Sequence, residues 1–548
     1  MALELSKTPA TAVDAVAQYD TIIIGAGLSG MYQLYRLREL GISVRVFEAG
    51  SDVGGTWYWN RYPGCRFDSE SYSYGYSWSE ELLQDWDWTE HFSPQPETLK
   101  YCNYVADKFD LRRDMEFNSR VKTASWDEQA RQWEVEMEDG RRARARYLIT
   151  AIGPLSIPMM PDIPGVDDFQ GESYHTGQWP HHPVTLKGKR IAVIGTGATG
   201  VQVIQEVAKV AGQLTVFQRR PNWCAPLHNK PIDPQEQKQI KASYPEIFAK
   251  CAESVSCFLH KADPRKTTEV TPEEREAFYE KLYGEPGFGI WLGNFRDTFT
   301  DEAANKTISD FVARKIRERV KDPVVAERLI PKDHGFGTRR VPMETGYYEV
   351  YNQDNVELVS VLETPIERIT PKGIRTTEKE REFDIIIYAT GFDAVIGGFS
   401  RIDFRGVEGQ KLMDVWAEGP RTFLGMEVHG FPNLLTLVGP HNGASFSNIP
   451  RCIEQNVDWT TRLLAYMEDK GYTRFEATEA AADAWTEHVY ETSKDMLMAK
   501  VDSWFNGINS NIKGRNKRRF LLYAAGAPTY RRKCNEVADS GYAGMTLS

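Results

Sequence analysis

The chain has 548 residues, 41% of them hydrophobic and 26% charged; at about 150 residues per domain that length implies three to four domains, and the composition excludes a mostly disordered chain. No apolar run approaches the roughly 18 residues that a membrane-spanning helix needs. A net charge of −11, from 66 basic and 77 acidic side chains, argues against a nucleic-acid-binding surface.

Residues 1–18 lack the basic and apolar regions of a secretory signal and read as a flexible leader. A β-branched run over 19–24 ends in Gly25-Ala26-Gly27-Leu28-Ser29-Gly30. A helical pattern over 31–40 follows, closed by Gly41, and then a second strand over 43–47. A second unit of this kind starts with a strand over 190–194 and turns through Gly195-Thr196-Gly197-Ala198-Thr199-Gly200. Its helix covers 201–210 and its closing strand 214–217. Between the units, 133–138 and 144–149 read as hairpin strands with Asp139-Gly140 at the turn. Residues 221–330 are charged, lack strand signals and read as a helical insertion. Strand patterns return over 356–359 and 384–388, and residues 390–548 mix strands and helices. The short cationic run Lys513-Gly514-Arg515-Asn516-Lys517-Arg518-Arg519 reads as a solvated loop. Cysteines at 65, 102, 224, 251, 257, 452 and 534 form no C-x-x-C pair, which fits a reducing cytoplasm with no disulfide framework and no metal site.

A lone G-x-G-x-x-G is weak evidence, but both copies here sit between a strand and a helix. In that context the first glycine permits a tight turn, the second lets the backbone approach a pyrophosphate, and the third allows close helix packing. The helix N-terminus then faces the negative charge. Glu48 lies 18 residues beyond Gly30, where a carboxylate accepts hydrogen bonds from ribose hydroxyls. Gln218 lies 18 residues beyond Gly200, and Arg219 and Arg220 follow it. A carboxylate would repel a 2′-phosphate that a guanidinium grips. The first unit is therefore expected to hold an unphosphorylated adenosine ribose and the second NADP(H). Two such sites imply electron flow from NADPH to a flavin, FAD. Only Cys65 follows the first turn where a disulfide reductase needs a cysteine pair, which leaves dioxygen as the leading electron acceptor.

Two longer segments narrow this reading. Gly54-Gly55-Thr56-Trp57-Tyr58-Trp59-Asn60-Arg61-Tyr62-Pro63-Gly64-Cys65-Arg66-Phe67-Asp68 and Phe169-Gln170-Gly171-Glu172-Ser173-Tyr174-His175-Thr176-Gly177-Gln178-Trp179-Pro180 resemble the two signatures of type I Baeyer–Villiger monooxygenases, GGxWxxxxYPGxxxD and FxGxxxHxxxWP. The resemblance, to enzymes of the phenylacetone, steroid and cyclohexanone monooxygenase kind, runs from Tyr19 to the C-terminus. It implies an α/β fold of two Rossmann-like dinucleotide-binding domains with a helical insertion: an FAD domain at 19–153 and 390–548, an NADP domain at 154–220 and 331–389, and the insertion at 221–330. The activity it implies is NADPH- and O₂-dependent insertion of oxygen beside a ketone carbonyl, through a C4a-peroxyflavin, giving an ester or lactone, with side activity on sulfides. The rival enzymes are an N- or S-oxygenating flavin monooxygenase and a plain NADPH oxidase, and the rival of another class is a non-enzymatic redox sensor. The expected partners are a small-molecule ketone and O₂, with no nucleic acid, membrane or obligate protein partner, in the cytoplasm.

By the same resemblance, FAD is held by Gly25, Gly27, Ser29, Gly30 and Glu48, and Thr56, Trp57, Asp68, Tyr74 and Val121 line the flavin. NADP lies on Gly195, Thr196, Gly197, Ala198, Thr199 and Gly200, with Arg219, Arg220 and Arg339 toward its phosphate. Trp504 matches a mobile-loop tryptophan that reaches the nicotinamide ribose. Thr150-Ala151-Ile152-Gly153 and Ala389-Thr390-Gly391-Phe392-Asp393 resemble the crossings between the two domains. Ketone oxidation leaves an oxyanion that a fixed guanidinium stabilises. The family's arginine matches Arg340 in Phe336-Gly337-Thr338-Arg339-Arg340, and its carboxylate partner matches Asp68. His175 reads as structural, in a linker that couples domain movement to catalysis. After Trp504 the chain departs from the family pattern with Ile508-Asn509-Ser510-Asn511-Ile512-Lys513-Gly514, and the substrate-pocket segment Gly439-Pro440-His441-Asn442-Gly443-Ala444-Ser445-Phe446 is individual.

Overall fold

The computed structural model describes residues 16–443, 447–509, 511–512 and 515–548. The leader through residue 15, Ala444-Ser445-Phe446, Ser510 and the Lys513-Gly514 step lie outside the described residues.

Two sheets carry the architecture. The larger has eight strands, in the order Asp403–Arg405, Val121–Asp127, Gln132–Met137, Arg142–Thr150, Ala17–Ile24, Val44–Phe47 and Met115–Glu116, with Leu434–Thr436 also against Arg142–Thr150. Its central strands are parallel. Ile22, Ile23, Leu148 and Ile149 are fully buried, as expected of strands covered on both faces, whose sequences read as continuous apolar runs. The second sheet is wholly parallel, in the order Val356–Ser360, Gln213–Gln218, Arg190–Ile194, Ile385–Tyr388 and Glu172–His175. Each sheet places one glycine-rich turn at the carboxyl end of a strand, where open α/β sheets bind their ligands.

Asp139-Gly140 closes the hairpin as expected: Gly140 has φ +87° and Met137 N donates to Arg141 O at 2.9 Å. Three boundaries differ from the sequence reading. The first strand begins at Ala17, inside the expected leader, because Ala17 and Gln18 pair with Ala143 and Arg144. Both nucleotide-unit helices, Leu28–Glu39 and Ala198–Val207, start three residues early, since the second glycine of each turn is the helix cap itself. Segment 221–330 is mostly helical, but Ala225–Pro226 pairs with Met343–Glu344. Its main helices are Pro234–Ala242, Tyr244–Glu253, Pro272–Gly284, Glu302–Arg319 and Pro323–Leu329. Four of these five begin at a side-chain cap (Asp233, Thr271, Asp301 or Asp322), and Thr271 with Glu274 forms a reciprocal capping box, each cap contributing about 1 kcal/mol. Among the described residues no helix is long and apolar enough to cross a membrane, and no His/Cys/Asp/Glu cluster could hold a metal ion.

Candidate active site

The first glycine turn is a cradle that side chains would fill. Gly25 has φ +106°, and a Cβ there would lie 2.5 Å from Ala151 O; a Cβ on Gly30 would lie 1.9 Å from Gly25 O. Gly27 caps the helix Leu28–Glu39 with no side chain on its free amides. The nearest atom to a Cβ on Gly27 would be Gly55 Cα at 3.4 Å, and Gly54 N donates to Ala26 O at 3.0 Å, so the 54–68 segment forms the facing wall. Glu48 is only 5% exposed. Its Oε2 accepts from Ala26 N at 2.7 Å and its Oε1 from Gly50 N at 2.6 Å, which leaves further lone pairs on both oxygens for ribose hydroxyls. Burial raises the Glu48 carboxyl above its ordinary range, against the pull of those amides. Thr56 is exposed at the start of the short helix Thr56–Trp59, Ser29 and Val121 are buried, and Trp57 sits edge-on to Phe67 and Tyr74 at 5.6 and 5.8 Å. Gln95 Nε2 donates to Trp57 O at 2.5 Å.

The second turn repeats this geometry with a different rim. Gly195 has φ +108° and lies against Ala389 O, Gly200 lies against Gly195 O, and a Cβ on Gly197 would meet nothing within 4 Å. Thr196 Oγ1 donates to Arg220 O at 3.1 Å, and Thr199 Oγ1 accepts from Thr176 Oγ1 at 3.2 Å. Where the first unit has a carboxylate, Gln218 is buried and its amide donates to Arg328 O at 2.7 Å. Arg219, Arg220 and Arg339 converge beyond it. Burial, then the fields of Arg220 and Arg339, lower the Arg219 guanidinium pKa. Asp333 Oδ2 serves two of the three, 3.2 Å from Arg339 and 3.5 Å from Arg220. Arg219 reaches Asn511 Oδ1 at 3.2 Å, and Arg339 Nε is buried with no hydrogen-bond partner among the described residues. Three guanidinia facing a single carboxylate, two of them at the surface, fit a phosphate.

Arg339 and Arg340 are neighbours in sequence but diverge in space. Arg340 Nη2 donates to Asp68 Oδ2 at 2.9 Å; the carboxylate side chain is 5% exposed and the guanidinium 33%. The guanidinium lies over Phe288 at 4.8 Å and Trp291 at 5.6 Å, and Asn222 Nδ2 holds the Arg340 carbonyl at 3.0 Å. Burial raises the Asp68 pKa and Arg340 opposes that rise. The cation is thus fixed from below and from one side, and a third of its side chain stays exposed. Phe288, Trp291, Asn222 and Asp333 carry no sequence signal of this role.

The chain matches the family described as flavin-binding monooxygenase-like (FMO-like) over residues 19–233. It is 49% identical to the 2-oxo-Delta(3)-4,5,5-trimethylcyclopentenylacetyl-CoA monooxygenase of Pseudomonas putida, over 96% of this chain and 98% of that one. It is 42% identical to the cyclopentanone 1,2-monooxygenase of Comamonas sp. (strain NCIMB 9872), over 96% of each. A crystal structure of OTEMO in complex with FAD and NADP superposes with a TM-score of 0.94 at 48% identity, covering 97% of this chain and 100% of that one. The chain belongs to the Baeyer–Villiger monooxygenases. It is an FAD- and NADPH-dependent enzyme that uses O₂ to convert a ketone into an ester or lactone.

In this Baeyer–Villiger monooxygenase the two sequence signatures meet the second unit directly. Tyr62 Oη donates to Gln202 Oε1 at 2.7 Å, Gln202 Nε2 donates to Arg66 O at 3.0 Å, and a Cβ on Gly64 would lie 2.6 Å from Gln202 O. The Tyr62-Pro63-Gly64 step is therefore a joint between the 54–68 wall and the helix Ala198–Val207. His175 is buried at the end of the strand Glu172–His175. Its Nδ1 accepts from Gly177 N at 3.0 Å, and burial lowers its pKa to about 4. The chain just after the first crossing packs on the second: Met159 N donates to Gly391 O and Asp393 N to Ile157 O, both at 2.9 Å. Trp504 is half-buried on the turn Trp504–Asn506, 4.5 Å from the Phe505 ring. Downstream, Asn509 Nδ2 donates to Phe392 O at 3.3 Å and Arg515 pairs with Asp393 at 3.2 Å. The cationic run is thus partly anchored to a crossing; Lys517 and Arg518 do behave as solvated cations, paired with Glu418 and Asp502. His441 and Asn442 of the expected substrate-pocket segment are fully buried, held at Leu521 O and Tyr530 Oη.

Proposed function

We propose that Arg340, oriented by Asp68, is the cation that receives the developing oxyanion of the ketone. The observation that carries this is the 2.9 Å pair between a buried carboxylate and a half-exposed guanidinium, set beside the 54–68 wall of the first cradle. FAD and NADPH, when bound, supply the activated oxygen and the reducing equivalents. Gly25, Gly27, Ser29, Gly30 and Glu48 hold the flavin nucleotide, with Thr56, Trp57, Tyr74 and Val121 along it. Residues 195–200 hold NADP, and Arg219, Arg220 and Arg339 hold its 2′-phosphate. Asp68 fixes the fork of Arg340, so the positive charge is in place before negative charge develops on the carbonyl oxygen. Such preorganisation is what makes a donor effective in a water-poor site. Trp504 and its turn close over the nicotinamide side. The larger sheet is the core of the FAD domain and the parallel five-stranded sheet that of the NADP domain.

The substrate we propose is a small ketone with a five-membered ring, on the support of two relatives whose names carry a cyclopentanone or a cyclopentenyl group. The experiment is Arg340→Ala in the holoenzyme. Ester formation from cyclopentanone should fall by about 10²–10³-fold, as when an oxyanion donor is removed, while NADPH oxidation continues with hydrogen peroxide as product. Retention of lactone formation would remove Arg340 from the chemistry. Sulfide oxidation is a further expected activity, and its survival in the variant beside a lost ketone reaction would separate N- or S-oxygenating chemistry from ketone chemistry.

A further inference from the structure

All seven cysteines are buried and unbridged, but two of them stand apart. Cys257 Sγ and Cys452 Sγ lie 3.7 Å from each other, with the Cys452 thiol donating, although 195 positions separate them in sequence. Cys257 belongs to segment 221–330; Cys452 is in the first turn of the helix Ile449–Lys470. The chain around Cys257 is held firmly. Asn448 N donates to Ser256 O at 2.8 Å, Ala527 N to Val255 O at 2.7 Å and Arg531 Nη1 to Ala252 O at 3.3 Å. Cys257 itself has φ +56°, a region that a side-chain-bearing residue enters only when its surroundings dictate it. Ser447 Oγ donates to Cys452 Sγ at 2.9 Å. The Cys452 hydrogen bond lowers the Cys257 pKa, with Arg531 and Arg451 assisting. By contrast, burial pushes Cys65, Cys102, Cys251 and Cys534 up to about 12.

We propose that Cys257 and Cys452 are a peroxide-responsive dithiol whose disulfide ties segment 221–330 to the start of the helix Ile449–Lys470. The oxidant is hydrogen peroxide, the product of NADPH and O₂ when this monooxygenase turns over without a ketone. The Cys257 sulfur attacks one peroxide oxygen and the O–O bond breaks, giving a sulfenic acid and water. The Cys452 sulfur then attacks that sulfur and expels a second water. Two thiols lose two electrons and two protons in all, and one peroxide becomes two waters. The sulfurs have to close from 3.7 Å to about 2 Å.

The test uses the wild-type holoenzyme, supplied with NADPH and O₂ without ketone, or with one equivalent of hydrogen peroxide. Intact mass, differential alkylation and peptide mapping follow. A linked peptide pair containing Cys257 and Cys452, two hydrogens lighter than the reduced pair and restored by dithiothreitol, is expected, with the oxidised enzyme melting above the reduced one. Both thiols remaining alkylatable, oxidation to sulfinic acid without a link, a link through Cys251 instead, or an unchanged melting temperature would each overturn the proposal. Cys257→Ser and Cys452→Ser should each abolish the link and leave turnover at the level of the reduced wild type, and Cys251→Ser should keep the link. Because the mapping is made on the wild type, a variant that fails to fold does not blunt it.

Discussion

The two glycine turns, 25–30 and 195–200, share a backbone and differ at the rim. In both, the first glycine has φ near +107° and its Cβ space is filled by a crossing-strand carbonyl, Ala151 O in one and Ala389 O in the other. In both, the third glycine touches the carbonyl of the first. The rims then part: a buried carboxylate hydrogen-bonded to two amides at Glu48, against a neutral amide at Gln218 and three guanidinia beside a single carboxylate, Asp333. On the proposed assignment, backbone shape selects a dinucleotide and rim charge selects which one. The second glycines differ as well. Gly27 is walled by Gly55, whereas a Cβ on Gly197 would meet nothing within 4 Å.

The sharpest way to break the symmetry is to add a side chain to each turn. Gly30→Val puts carbon where Gly25 O already lies. That overpacking is expected to cost more than about 4 kcal/mol, and the protein should purify without flavin, as the visible spectrum would show. Gly197→Ala meets nothing. This variant should keep its flavin and its melting temperature, while the KM for NADPH rises roughly tenfold, about 1.4 kcal/mol. Equal damage from both substitutions would mean that the two turns do not have separate ligands. Exchanging the rims is the next largest effect. Gln218→Glu with Arg219→Ala removes one charge-assisted contact and adds a repulsion, each worth about 1–3 kcal/mol. The ratio of kcat/KM for NADPH over NADH should therefore fall by about a hundredfold, and flavin content should not change.

Much of this is legible in the chain itself. Glycines are readable because positive φ and near-contact distances exclude other residues, and the contrast of Glu48 with Gln218-Arg219-Arg220 needs only counting from Gly30 and Gly200. What escapes has a common physical origin: it depends on contacts between distant parts of the chain. Composition alone leaves Arg339 and Arg340 equivalent, and only the motif resemblance favours Arg340 with Asp68; what parts them is that Asp333 draws one and Asp68, 272 positions away from Arg340, draws the other. Phe288 and Trp291 look like any buried aromatics until Arg340 is seen above them. The pairing of Ala225–Pro226 with Met343–Glu344 is two residues long and leaves no periodic pattern to detect. The helix starts moved because a glycine cap has no side chain to announce it.

Acidification should act on the two halves with opposite sign. His175, beside the second turn, is held near pKa 4 from an ordinary 6.5. Between those values the unfolded chain binds more protons than the folded one, so the His175 contribution is full above pH 6.5 and is lost as pH falls toward 4. It amounts to about 3 kcal/mol. Glu48 has a raised pKa, so in its window the folded state binds more protons and acidification favours the fold. The net loss of melting temperature between pH 7 and pH 5 should therefore shrink in His175→Gln and persist in Glu48→Gln. A wild type with no loss over that range would contradict the assignment to His175.

The smallest effect concerns Arg340, which belongs to neither rim. Arg219 sits among like charges and is expected to wait for a phosphate, whereas Arg340 already has a carboxylate beside it and two aromatic faces beneath it. Phe288→Leu keeps apolar volume and removes one ring. The cation–π share lost is about 1 kcal/mol, or roughly fivefold in the rate of ketone oxidation. Asp68 still pairs with the guanidinium in this variant, so NADPH oxidation and the KM for NADPH should stay at wild-type values, and the loss should appear only as peroxide released per ester formed. An equal loss in both reactions would mean that Phe288 supports the fold of segment 221–330 and not the position of Arg340; a loss confined to ester formation would place the aromatic shelf in the positioning of the catalytic charge.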